Sequence, residues 1–220
     1  MYGPHKYHIG KCPSGVDPEI NSNDTVIYHL LELPFKKCHK AILSCHEKSY
    51  FPLLEREVSG YDAVRFVSES HFEWHKWSGT SFVVPNIIEP IRVKPGRCAG
   101  VIGTLSKRKQ THISIQRAID DGHEVLVFGI RKESDSDYLK QHVDPLLNHS
   151  KVKYMGLMGR NKMYGMISCV YQSSIEECAS RTWGECFQLG IPFHGCSNII
   201  PYDMWSEDRI IKAWKEIIAW

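Results

Sequence analysis

Residues 173 to 192 carry the most chemistry in the chain: Ser173-Ser174-Ile175-Glu176-Glu177-Cys178-Ala179-Ser180-Arg181-Thr182-Trp183-Gly184-Glu185, closed by Gly190-Ile191-Pro192. A β-rich run precedes this stretch and a helical pattern follows it. Its loop and helix start therefore fall at the carboxyl edge of a parallel sheet, where open α/β sheets bind ligands. Small residues at such a bend let backbone amides approach a phosphate, and the helix N-terminus adds partial positive charge. Cys178, Ala179 and Ser180 are the candidates for that contact. Glu185 falls in the first turns of the helix, where a carboxylate can accept hydrogen bonds from vicinal ribose hydroxyls. On its own, Glu185 also fits a solvated helix carboxylate.

Positioning these residues takes a sheet, and the second half of the chain supplies one. β-rich runs alternate with helical patterns, the mark of a parallel sheet wrapped by helices. Strands are expected over 98–103, 124–129, 151–155 and 166–171 and near Phe193. Helices are expected over 114–121, around 135–147 with Pro145 near the end, near Lys162, over 183–189 and, capped by Ser206, at the C-terminus. The first hundred residues alternate more thinly, with strands over 25–30, 41–45, 63–67 and 81–84. Glu89-Pro90, Lys94-Pro95 and Gly96-Arg97 punctuate the join as a linker does, dividing the chain into lobes of 1–93 and 94–220.

The chain has 220 residues, 42% hydrophobic and 24% charged, enough to bury a core and too apolar for a disordered chain. The formal charge of +2 does not mark a nucleic-acid protein, although a local basic patch can still bind phosphate. No stretch reaches the ~18 apolar residues of a membrane span, and Met1 to Lys6 open without an apolar signal core, so a cytoplasmic protein is expected. Eight cysteines show no pair at zinc-knuckle or redox spacing and read as buried, reduced thiols. No metal site is expected. The basic runs at 35–40 and 107–109 read as solvated faces; lying on one side, they would attract an anionic acceptor such as a lipid phosphate or a nucleic acid. Trp74 and Trp77 read as core packing rather than a stacking platform. The last helix places Ile210, Ile211, Trp214, Ile217 and Ile218 on one face, which can pack on a core or form a membrane-surface or dimer face.

Glu177 and Glu185, with seven residues between them and Gly190-Ile191-Pro192 beyond, resemble the paired-glutamate motif of retaining glycosyltransferases with the GT-B fold, family 4 in particular. Residues 101 to 109, Val101-Ile102-Gly103-Thr104-Leu105-Ser106-Lys107-Arg108-Lys109, are similar to that family's strand followed by a Gly-Arg-Leu and Lys loop. Lys153-Tyr154-Met155-Gly156 is similar to its later strand and glycine, and Cys45-His46-Glu47 to a first-lobe strand that delivers a histidine and an acid into the cleft. The resemblance implies two facing Rossmann-like α/β lobes, a GT-B fold with a reduced first lobe. Residues 1–93 would form the acceptor side and 94–220 the nucleotide-sugar side, including the C-terminal helix, which the resemblance implies packs across the first lobe. It implies catalytic roles for His46, Glu177 and Lys109, and donor contacts at Gly103, Thr104, Arg108, Lys109, Gly129, Gly156, Cys178, Ala179, Ser180 and Glu185. In that scheme Lys109 meets the diphosphate, Glu185 the ribose and Glu177 the transferred sugar. Thr104 stands where the family usually has arginine, with Lys107 or Arg108 nearby to supply the charge. His46 fits a structural histidine equally well.

The activity so implied is transfer of a hexose or pentose from a nucleoside diphosphate sugar, with uridine the commonest carrier, to an acceptor hydroxyl. Configuration would be retained, with no metal and no other cofactor. The acceptor stays open among a glycan, a lipid-linked sugar and a hydroxymethylated DNA base, with peripheral membrane contact allowed. A sugar-nucleotide epimerase and a non-catalytic nucleotide- or glycan-binding module are the competing classes.

Overall fold

The computed structural model describes residues 25–28, 38–45, 60–75, 77–175, 177, 179–195 and 206–219. Its strands form two sheets. β1 (Thr25–Tyr28), β2 (Lys40–Ser44), β3 (Ala63–Phe66) and β4 (Ser81–Val83) lie side by side in chain order. β5 (Cys98–Ile102), β6 (Val125–Phe128), β7 (Val152–Gly156), β8 (Ile167–Gln172) and β9 (Phe193–Gly195) take the order β7-β6-β5-β8-β9. Every pairing is parallel. A parallel sheet covered on both faces needs strands that are apolar on both sides, and β6 is an unbroken Val-Leu-Val-Phe, buried at all four positions.

The helices are α1 (Glu69–His75), α2 (Thr111–Asp120), α3 (136–147), α4 (Arg160–Tyr164), α5 (Arg181–Leu189) and α6 (Glu207–Ala219). α3 is α-helical at its ends and π-helical over Leu139–Val143. Pro145 follows that widened turn, and proline has no N–H to bond the carbonyl four residues back. Successive residues of a strand face opposite ways, so the second sheet has two cores. Val125 and Val127 of β6 join Ile115 and Ala118 of α2 and Leu139 and Val143 of α3 on one side. Leu126 and Phe128 join Met163 and Tyr164 of α4 and Cys186 of α5 on the other.

The last helix follows the second sheet in sequence but packs on the first. Ile210 and Ile217 of α6 are buried with Ile42 of β2, Ala63 of β3 and Val84, and Trp214 is partly buried beside them. Ile210, Trp214 and Ile217 of that stripe therefore pack on the first sheet, while Ile211 and Ile218 are only partly buried. The Arg65 guanidinium lies 5.6 Å from the Trp214 ring centroid and donates to Ser44 Oγ (3.2 Å) and Asn86 Oδ1 (3.1 Å). Burial lowers its pKa to about 10. Trp77 packs on the first core as expected, whereas Trp74 is 38% exposed, because α1 turns it outward.

Residues 84–97 join the two sheets and are docked along their length. Ile88 packs on Ala179 and Trp183, and Ile91 joins the core under α4 and α5. Gly96 N–H donates to Ile167 O at 2.9 Å, so close that a Cβ on Gly96 would stand 2.1 Å from the Met166 carbonyl carbon.

Candidate functional site

Chain order reverses between β5 and β8. From β5 the sheet grows outward through β6 and β7; the chain then returns to place β8 on the other side of β5 and continues to β9. α2 leaves β5 toward one face and α5 leaves β8 toward the other. Loops that part in this way open a crevice at the carboxyl ends of the two strands, the usual ligand position in open α/β sheets.

The loop after β5 is folded tightly back on itself. Thr111 Oγ1 accepts from Ser106 N–H (3.2 Å), Ser106 Oγ accepts from Lys109 N–H (3.3 Å), and Gln110 takes a left-handed backbone at φ 45°. This sends the Lys109 side chain back over the strand end, where its Cε would sit 4.0 Å from a Cβ placed on Gly103. Lys109 Nζ there forms an ion pair with Glu177 Oε1.

Glu177 comes from the loop after β8, whose two arms are held by buried Gln172. The Gln172 amide donates to Ser174 Oγ (3.3 Å) and accepts from Ser180 Oγ (3.1 Å). Ser180 Oγ also accepts from Trp183 N–H at 3.2 Å, capping α5 as a serine at that position does. The two loops are joined directly, since Ile175 N–H donates to Arg108 O at 3.0 Å.

Beside them the sheet edge is bare backbone. Gly103 and Gly129 follow β5 and β6 with φ of 130° and 134°, and Gly156 ends β7 with φ 66°. Gly129 N–H donates to Gly156 O (2.9 Å), and a Cβ on Gly129 would stand 1.9 Å from Gly103 O. Glycine tolerates both the positive φ and the close approach, and the result is that the backbones of these strand ends lie directly against one another.

Glu185 is buried, so it is not a solvated helix carboxylate. Tyr164 OH donates to its Oε2 at 2.6 Å, and Arg160 Nε lies 2.8 Å from its Oε1. Arg160 reaches on to the linker, donating to Glu89 Oε2 (2.7 Å) and Glu89 O (3.0 Å). Burial first, and then the Glu185 charge, push the Tyr164 phenol far above its ordinary range, which keeps it a donor. A carboxylate offers about four acceptor positions, so these two partners leave capacity at Glu185. Sequence reasoning reached α4 only as a short helix. The available cue was an arginine and a tyrosine four residues apart, on one helix face.

The structure thus joins Lys109 to Glu177 and places Gly103, Thr104, Ala179 and Ser180 on the two loops that carry them, with Gly129 and Gly156 along the same edge. The Lys107 and Arg108 side chains are exposed. His46 and Cys178 lie outside the described residues. The chain does contain an Asp-x-Asp, Asp135-Ser136-Asp137, so the expectation of no metal site cannot rest on the lack of that pattern. Asp135 Oδ2 accepts from Lys107 N–H at 2.8 Å, an anchor for the Lys109 loop.

No protein-family model matches the sequence, and no curated protein matches it. Solved structures do. The pneumococcal O-GlcNAc transferase GtfA, in complex with UDP and GlcNAc, superposes with a TM-score of 0.56 at 12% identity, over 82% of this chain and 44% of that one. S. aureus TarM gives 0.57 at 13%, over 84% and 45%. WaaG, a glycosyltransferase of lipopolysaccharide biosynthesis, gives 0.56 at 12%, over 90% and 69%. The fold is GT-B. The chain spans less than half the length of GtfA and TarM, a coverage that fits a GT-B protein with a reduced first lobe.

Proposed function

We infer that this GT-B chain is a glycosyltransferase that moves a sugar from a nucleoside diphosphate sugar, UDP-linked by preference, to an acceptor hydroxyl. The observation that carries the reading is the ion pair of Lys109 with Glu177, formed between the two loops that part at the switch point. GtfA, which superposes on this chain, was crystallised with UDP and GlcNAc, and this supports a uridine donor.

Breaking the bond between sugar and phosphate leaves negative charge on the departing diphosphate and oxocarbenium character on the sugar. Fixed positive groups aimed at the phosphate lower that barrier. Lys109 and the amides of Ala179 and Ser180 fill this role, with Gly103, Gly129 and Gly156 letting the diphosphate reach the sheet edge. The donor's phosphate competes with Glu177 for the lysine, and Glu177, released, turns its carboxylate to the sugar. Glu185, held by Tyr164 and Arg160, uses its remaining acceptor capacity on the ribose. The leaving phosphate takes the acceptor's proton, the anomeric configuration is retained, and no metal is required.

The test is incubation of the purified chain with UDP-glucose, UDP-galactose and UDP-N-acetylglucosamine, followed by NMR. Slow release of sugar in its α-anomeric form is expected from one of them. Conversion to an epimeric nucleotide sugar would make the chain an epimerase. UDP binding without turnover would make it a non-catalytic module.

A further inference from the structure

The first sheet carries a side-chain cluster that sugar transfer does not use. Cys45 directly follows β2, while His71 and His75 occupy successive turns of α1, four residues apart and so on one face. Strand and helix bring them together. Cys45 Sγ lies 3.8 Å from Nε2 of His71 and 3.8 Å from Nε2 of His75, and the two Nε2 atoms are 3.0 Å apart. All three residues are buried, at 2%, 0% and 5% exposure. We propose that Cys45, His71 and His75 bind a zinc ion that clamps α1 to the end of β2.

The distances meet what zinc needs. Zinc bonds imidazole nitrogen at ~2.0–2.1 Å and thiolate sulfur at ~2.3 Å. At those lengths the ion stands about 1.4 Å from the midpoint of the two Nε2 atoms, and that midpoint lies about 3.5 Å from Cys45 Sγ, so one ion can reach all three atoms, with a small opening of the two imidazoles toward the tetrahedral angle. One thiolate and two imidazoles suit a borderline-soft ion and not magnesium or calcium, which take oxygen ligands. On binding, the Cys45 thiol gives up its proton to solvent and the two Nε2 atoms supply their lone pairs. The fourth tetrahedral position goes to water or a further donor.

The ligands sit on rigid supports, as a structural ion requires. Cys45 N–H donates to Arg65 O at 2.8 Å, continuing the sheet register, and Ser68 Oγ accepts from His71 N–H at 3.2 Å at the start of α1. Phe66 packs on both imidazoles, with ring centroids 5.4 and 5.3 Å away, and Trp74 lies edge-on to His75 at 4.8 Å. This aromatic shell packs the two rings and surrounds the three converging donor atoms with apolar surface. α1 has only seven residues and belongs to a four-stranded sheet; a metal tie stabilises such a small unit.

The test measures metal in the full chain, purified without a metal-affinity step, incubated with zinc and dialysed. About one zinc per chain is expected. Replacement by cobalt(II) should give intense tetrahedral visible bands and a sulfur-to-cobalt charge-transfer band, which C45S removes. Chelation should lower the melting temperature, and zinc but not magnesium should restore it. Should C45S fail to fold, the wild-type cobalt spectrum and the chelator shift still decide. A folded wild-type chain that retains no zinc, a cobalt spectrum without the thiolate band, or a C45S chain with full zinc content and an unchanged band would each overturn the proposal.

Discussion

Lys109 and Glu177 stand 68 positions apart in the chain and form an ion pair where the loops after β5 and β8 part. Each loop has its own anchors, the first Ser106, Thr111 and Asp135 and the second Gln172 and Ser180, and Ile175 N–H to Arg108 O ties the two together, so neither charge is on a free arm. Pinned loops hold the two groups in one geometry, and preorganised charge is worth far more to a reaction than charge that must be gathered.

Lys109→Ala removes the cation from the sheet edge and leaves Gln172 and Ser180 in place. Turnover of the UDP-sugar should fall roughly 100- to 1000-fold, the loss typical of one stabilising donor. Steady-state kinetics measure it, with circular dichroism to show the fold intact. Wild-type turnover in the variant would remove Lys109 from the reaction.

Glu177→Gln separates binding from transfer. The wild-type lysine is shared with a carboxylate that a diphosphate must displace, so the variant should bind UDP several-fold tighter while sugar release drops. Calorimetry and NMR read the two effects on the same sample. Weaker UDP binding in E177Q would contradict the competition between carboxylate and phosphate.

Tyr164→Phe takes from Glu185 Oε2 its 2.6 Å donor. A buried acceptor left unsatisfied costs about 1–3 kcal/mol, so the melting temperature should fall. If Glu185 holds the ribose, the donor KM should rise with little change in kcat. A stability loss with an unchanged KM would leave Glu185 a purely structural group.

Gly129→Ala and Gly122→Ala form a matched pair. Both glycines have positive φ, but a Cβ at Gly129 meets Gly103 O at 1.9 Å, whereas nothing stands within 4 Å at Gly122. The Gly122 variant should lose only the backbone cost of about 1–2 kcal/mol. The Gly129 variant should lose more and lose UDP binding as well, because Gly103 must move. Equal melting temperatures for the two would show that the edge tolerates widening.

Much of this architecture can be read from the residues themselves, for physical reasons. β6 is apolar at every position because both its faces are covered, and Ser206 stands where its Oγ accepts Arg209 N–H at 3.3 Å. The pairing of Lys109 with Glu177 has no local cue, since the two stand on different loops; only the ordered motif resemblance sets them in one site. What stayed hidden depends on tertiary approach. Nothing local says that Arg160 will bridge Glu185 to Glu89, or that residues 84–97, rich in breakers, will lie docked under Ile88 and Ile91. Cys45 and the His71/His75 pair come from a strand end and a helix, so counting cysteine spacings missed them. The local cue is the His-x-x-x-His spacing of His71 and His75, which a helix sets on one face.

The most direct test is calorimetric titration of UDP into the wild-type chain and into Lys109→Ala. The account predicts saturable binding by the wild type, weakened at least about tenfold in the variant, equal to about 1.4 kcal/mol. Equal affinity in the two chains, or no heat from the wild type, would contradict a diphosphate seated between the loops after β5 and β8.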